Sequence, residues 1–188
     1  MNIIEAIQSK LGYSTIEKVD PNTNQVKNED LMVSAERLEH AATASMLAGF
    51  YKQATNDNDD DIPFTYNSSE NWADIIFGSK ADEVSNNVAT FAYSDVDSAQ
   101  AEMNKVGNAV MDLFSETSGE HNAATFKTWI VDQRNNILPY LPPELHLGDV
   151  FNDNTIDDRT NKMEGPVSGL MHAIEKVFSA KQEPKPID

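Results

Sequence analysis

Ala41-Ala42-Thr43-Ala44-Ser45-Met46-Leu47-Ala48-Gly49-Phe50 is the stretch that decides the fold. It carries no charge, little bulk and no alternation of apolar with polar residues, so it does not read as a strand. Around it, in Asp30 to Ala54, Leu31, Leu38, Ala42, Met46, Phe50 and Ala54 recur at three-to-four spacing or its multiples. That period is helical. Small side chains in the middle let a second helix approach closely, so the segment predicts the central helix of a bundle.

Helical patterns continue on both sides. Toward the N-terminus, Ile3, Ile4, Ile7 and Leu11 form one stripe, and Gly12 stands where a left-handed cap belongs. Val19 to Asp30, with Asp20-Pro21-Asn22, reads as a loop. Toward the C-terminus, Asn56 to Asn67 reads as an acidic loop. A short helix with Trp72, Ile75 and Ile76 follows, capped by Ser68 or Ser69 and ended by Gly78. Lys80 to Ala92 places Ala81, Val84, Val88 and Phe91 on one face. Ser94 or Asp95 opens a long helix carrying Val96, Ala99, Met103, Val106, Val110, Leu113 and Phe114, and Ser118-Gly119 closes it. Asn122 to Asn136 reads as one more helix. Leu138-Pro139-Tyr140-Leu141-Pro142-Pro143 reads as rigid, extended and a boundary. After a polar stretch, Pro166 opens a last helix with Val167, Leu170, Met171, Ile174, Val177 and Phe178. The expected fold is all-α, an irregular bundle of six or seven helices. Its expected parts are a bundle domain over 1–141, a polar linker over 142–165, and an amphipathic helix over 166–180 packed on the bundle or on a partner.

Charge narrows the partners. The 188 residues hold 31 Asp plus Glu against 14 Lys plus Arg, for a net charge of −17. The surplus is concentrated in residues 57–100, where Lys80 is the sole base. Nucleic acid and anionic lipid both need clustered Lys and Arg, so neither is expected as a partner. A basic protein surface or a cation fits the acidic segment better, and a salt-adapted source would account for the acidity without any function. The chain has no cysteine, which removes disulfides, thiolate catalysis and cysteine-based metal sites. No window approaches the ~20 apolar residues of a membrane span. Met1-Asn2-Ile3-Ile4-Glu5 has no basic region, so the expected location is cytoplasmic.

Two stretches have the composition of cation sites. Asp153, Thr155, Asp157, Asn161 and Glu164 fall at positions 1, 3, 5, 9 and 12 of a Ca2+ loop, and each offers oxygen. Asp158 stands where the tight turn wants glycine, and Thr160 where an apolar residue is usual. The alternative reading is a polar linker with Asx turns that caps the last helix. Asp57, Asp59, Asp60 and Asp61 are four carboxylates within five residues, which a cation or a basic partner would neutralise. No catalytic motif is found. His40, His121, His146 and His172 are too far apart in sequence for a local metal pair, and no nucleophile elbow or glycine-rich phosphate loop occurs. Glu36, four residues before His40, is expected to hold it protonated on an exposed helix face. Trp72 and Trp129 are expected as core or interface anchors.

Asn2-Ile3-Ile4-Glu5-Ala6-Ile7, Leu11-Gly12, and the alanine-rich Ala41 to Phe50 resemble the YidB-like bacterial proteins of unknown function. The resemblance covers roughly residues 1–55, and this chain lacks the glycine-rich stretches of those proteins. It implies a small helical protein without a recognised catalytic centre and transfers no functional residue. The expectation is therefore a non-enzymatic protein acting through contact with a basic protein partner or through self-association. The contact would be made by the acidic segment with Asp57, Asp59, Asp60 and Asp61, or by Leu170, Ile174 and Phe178 of the last helix. The alternatives are a Ca2+-responsive module using residues 153–164, and an enzyme with a carboxylate/His site.

Overall fold

The computed structural model describes residues 1–55, 71–119 and 121–152. The fold is all-α, as the periodicity requires. Among the described residues, extended pairing is limited to one isolated antiparallel bridge between Val19 and Val26.

Helix α1 (Ile3–Leu11) starts at Asn2, whose side chain accepts the Ile4 N–H at 3.1 Å. It stops where Gly12 turns left-handed at φ 71°, a conformation glycine enters without steric cost. Ile3, Ile4 and Ile7 are buried.

Helix α2 (Ser34–Thr55) is the centre of the bundle. Every residue from 40 to 50 is buried, so the helix has no solvent face along that length. The expected single stripe is therefore too narrow: a helix surrounded by others needs small, uncharged residues all round, and Ala41 to Phe50 supplies them. The expected start was also too early. Asn28 adopts φ 61°, Glu29–Leu31 forms a single 3₁₀ turn, and Met32 is extended, so α2 begins only at Ser34. Leu31 is consequently outside the helix and exposed.

Around α2 stand α3 (Trp72–Phe77), α4 (Ala81–Ala92), α5 (Val96–Thr117) and α6 (Ala123–Val131), followed by the short α7 (Arg134–Ile137) and α8 (Leu147–Phe151). Asp95 caps α5 by accepting the Ser98 N–H at 2.8 Å, and Asn122 caps α6 by accepting that of Thr125 at 2.9 Å. The single helix expected over Asn122 to Asn136 is divided at Asp132-Gln133. Two glycines seat α3. A Cβ on Gly49 of α2 would collide with Ile76 and Phe77, and one on Gly107 of α5 would collide with the Trp72 ring. Trp72 is then fixed by two α5 amides: Asn104 Oδ1 accepts its backbone N–H at 2.6 Å, and Asn108 Oδ1 its indole N–H at 2.7 Å. An aromatic seam runs from Trp72 through Phe50 and Phe126 to Phe114, with ring centroids 5.6, 5.6 and 5.1 Å apart, and ties α3, α2, α6 and α5 together. Trp129 packs half-buried on Phe114 and Phe126.

The proline segment differs from expectation. Leu138–Tyr140 and Pro143–Leu145 are 3₁₀ turns, each with proline at a first-turn position where its missing N–H is no loss. Tyr140, Leu141, Leu145, Leu147 and Val150 are buried, and Phe151 stacks on Phe77 at 5.8 Å. Residues 142–152 thus fold onto the bundle, although the polar linker was expected to begin at 142. The rest of that linker and the C-terminal helix over 166–180 lie outside the described residues.

Candidate contact surface

Three large apolar side chains are exposed at one end of the bundle. Leu31 is 81% exposed, Val33 60% and Tyr93 78%. Leu31 and Val33 lie in the lead-in to α2, and Tyr93 in the turn from α4 to α5. Two links hold these segments together. Ser34 Oγ donates to the Ala92 carbonyl at 2.6 Å. Arg37, in the first turn of α2, lies with its guanidinium 5.7 Å from the Phe91 ring centroid and 5.0 Å from that of Tyr93. The same guanidinium donates at 2.8 Å from Nη1 to the Glu29 carboxylate and from Nη2 to the Glu29 carbonyl. Arg37 is buried, so its charge is matched by a carboxylate and two aromatic faces rather than by water. It clamps the Glu29–Leu31 turn to the α4–α5 turn.

Tyr93 has an unusual backbone. It adopts φ 52°, the left-handed conformation that glycine or asparagine normally takes at a helix end. Its amide still closes α4 by donating to Ala89 and Thr90. A bulky aromatic there carries strain of about 1 kcal/mol and is not repaid by burial of its ring. Exposed acids lie close in sequence: Asp30 beside Leu31, Asp95 and Asp97 after Tyr93. Asp95 is held below its ordinary pKa chiefly by the Ser98 N–H and hydroxyl, so it stays charged.

Beneath this surface lies His40. It is fully buried on α2, and Nε2 donates to the Tyr140 carbonyl at 2.7 Å. Burial pushes its pKa down to about 4, against the pull of the Tyr140 carbonyl and Glu29. The expectation of an exposed, protonated His40 paired with Glu36 is thereby corrected. The central helix offers no exposed face at that position, and Glu36 instead accepts the Val33 N–H at 3.1 Å as a cap. His121 is exposed, with its ring edge-on to Phe114. His146 is exposed and lies 3.9 Å from Asp149.

A shallow groove of about 600 Å³ lies elsewhere, between the end of α1 and the face of α5, lined by Lys10, Lys105, Asn104, Asn108 and Asp112 with Leu11. Its charges are matched inside the chain. Lys10 binds Glu116 at 2.7 Å and lies 3.7 Å from Asp112. Lys105 binds Glu102 at 3.1 Å and sits 4.6 Å above the Tyr13 ring, while the Tyr13 hydroxyl donates to Glu102. Burial and the neighbouring carboxylate raise the Tyr13 pKa, and burial raises that of Glu39 beside it. The groove is a wall of internal salt bridges rather than a vacant receptor for a charged ligand.

Asp57, Asp59, Asp60, Asp61, the Ca2+-loop candidates Asp153, Thr155, Asp157, Asn161 and Glu164, and Leu170, Ile174 and Phe178 all lie outside the described residues. Among the described residues, no group of three or more His, Asp and Glu side chains is placed to hold a metal ion, and no helix is long and apolar enough to cross a membrane. The Leu31, Val33 and Tyr93 surface was missed by sequence reasoning. One signal was present: with α4 ending at Ala92 and Asp95 capping α5, only Tyr93 and Ser94 remain to turn the chain, and neither is glycine.

Comparisons of the chain with protein-family models, curated proteins and solved structures found no match. The YidB-like resemblance therefore rests on the residues of 1–55 alone.

Proposed function

We propose that the protein is a non-enzymatic contact module that binds a basic, amphipathic protein surface at the end of the bundle formed by Leu31, Val33 and Tyr93. The observation that carries this reading is Tyr93, a strained and exposed aromatic stacked on a buried arginine. Strain retained without burial in the free chain is explained if the ring is buried in a complex. Aromatic side chains on rigid supports are the usual anchors of protein contacts.

Charge selects the partner. Asp30, Asp95 and Asp97 near the apolar centre favour lysine and arginine around an apolar stripe. A second copy of this chain is disfavoured, because it would bring like-charged rims together on molecules of net charge −17. The experiment is titration with a synthetic helical peptide of lysine and leucine, at low and high salt, alongside light scattering. The expected result is saturable binding by the wild type, weakened by salt and lost in Tyr93→Gly and Leu31→Ser. A monomer that ignores the peptide at low salt, or binds it equally well in both variants, overturns the reading.

A further inference from the structure

The imidazole of His40 and the guanidinium of Arg37 share one aromatic ring. The His40 ring centroid is 6.2 Å from that of Phe91, and Arg37 lies 5.7 Å from the same ring. Arg37 continues to Tyr93 and to Glu29. A short stack thus connects the core, through Phe91 and Arg37, to the exposed aromatic. From the other side, the Tyr140 carbonyl fixes the His40 tautomer by accepting Nε2–H, which leaves Nδ1 as the acceptor nitrogen. Among the described residues that buried Nδ1 has no hydrogen-bond partner, and neither does the buried Thr43 Oγ1 one turn along.

The charged groups around the ring are few. On α2, Arg37 is one turn earlier, and Glu36 is turned to the Val33 N–H. The turn before α2 contributes Glu29, already bound twice by Arg37. The segment 138–140 contributes the Tyr140 carbonyl, and α4 contributes Phe91, which has no charge. A proton on Nδ1 would place a second cation against Phe91, on a nitrogen that makes no hydrogen bond to the described residues. It would also compete with Arg37 for the Glu29 carboxylate.

We infer that His40 is an acid-operated release for the contact surface: on protonation it loosens the Arg37 clamp and so disorders Leu31, Val33 and Tyr93. This inference rests on the contact reading above for its biological use, but the switch itself belongs to the free chain. The low intrinsic basicity that burial gives His40 keeps the clamp closed at neutral pH and restricts opening to acid.

The test has two arms. In the first, the backbone amide signals of Leu31, Val33 and Tyr93 are followed by NMR in the free protein from about pH 7 to about pH 4. The wild type is compared with His40→Gln, which keeps an N–H donor for Tyr140 but does not titrate; His40→Leu replaces it should that variant fail to fold. The expected result is that these amides shift and broaden in step with the His40 ring in the wild type, with a smaller carboxylate-driven drift in the variant. The same pH course in both proteins overturns the inference. In the second arm, the lysine–leucine peptide is titrated at both ends of that range. With about half of the His40 rings protonated at about pH 4, the wild type should lose roughly twofold more affinity than His40→Gln, and equal losses count against the switch. Failure of the peptide to bind at neutral pH would sink the contact reading alone, and the amide comparison would still decide the switch.

Discussion

Tyr93 and His40 both depart from local preference, one by its left-handed backbone and one by its burial, and each gives a separable expectation. At Tyr93 the backbone wants glycine. Tyr93→Gly removes left-handed strain of about 1 kcal/mol but also gives up an exposed stack on Arg37 and adds unfolded-state entropy, each also below about 1 kcal/mol. The unfolding free energy from urea titration is thus expected to change little, within about 0.5 kcal/mol, while peptide binding is lost. A large fall in stability would mean that the ring holds the bundle together rather than serving a partner. At His40 the sign follows from a folded pKa of about 4, below the unfolded value of 6.5. The unfolded state binds the proton first, so this contribution is complete above pH 6.5 and declines as the pH falls from 6.5 toward 4. The full difference amounts to about 3 kcal/mol. Replacing His40 with Gln is expected to flatten the stability-versus-pH curve across that window, measured as the difference between the two proteins so that the carboxylates cancel. Parallel curves would show that His40 does not contribute.

At the scale of elements, the seating of α3 is the most exacting feature. Its six residues Trp72–Phe77 are held by the two glycine notches of α2 and α5 and by Asn104 and Asn108. Gly107→Ala puts a methyl into the Trp72 ring, and neither the ring nor the two hydrogen bonds can shift independently. Overpacking of this kind costs about 1–3 kcal/mol. The expected signature is a lower urea midpoint with a changed tryptophan fluorescence, and it should be smaller in a Trp72→Phe background, where a smaller ring leaves room. An equal cost in both backgrounds would place the strain elsewhere. This arrangement also marks the reach of sequence reasoning. The helices α1, α4 and α5 and their caps at Gly12 and Asp95 were legible because periodicity and capping are local properties. The closeness implied by Ala41 to Gly49 was legible for the same reason. What fills the notches was not, since Gly107 and Trp72 meet across 35 residues and neither carries a mark of the other. The 3₁₀ turns at Leu138–Tyr140 and Pro143–Leu145 were hidden similarly: prolines that read as extended in isolation are bent by the burial of Tyr140, Leu141 and Leu145. The candidate surface was legible in its charge and not in its apolar centre, because Leu31 fitted the helical spacing of α2 and was assigned to its stripe.

For the whole molecule, the net charge of −17 acts on folding and on binding with opposite signs. Acidic residues repel one another across the folded surface more than along an expanded chain, so the charge opposes compaction. Screening shortens the reach of that repulsion, from a Debye length of about 30 Å at 0.01 M salt to about 10 Å at 0.1 M. The native ion pairs Lys10–Glu116, Lys80–Glu83 and Lys105–Glu102 are also screened, but each has at least one partner open to solvent and contributes little individually. The repulsion is therefore the larger effect. Added sodium chloride is expected to raise the melting temperature by several degrees over that range and then to level off. Over the same range, attraction between the acidic rim and a basic peptide is weakened, mainly through slower association. A melting curve and a binding titration on the same samples should move in opposite directions as salt rises. If both rise together, binding is driven by the apolar centre alone and the rim of Asp30, Asp95 and Asp97 has no part in choosing the partner. If the melting temperature falls with salt, internal ion pairs outweigh the surface repulsion, and the acidity is a structural asset of the bundle rather than a cost retained for contact.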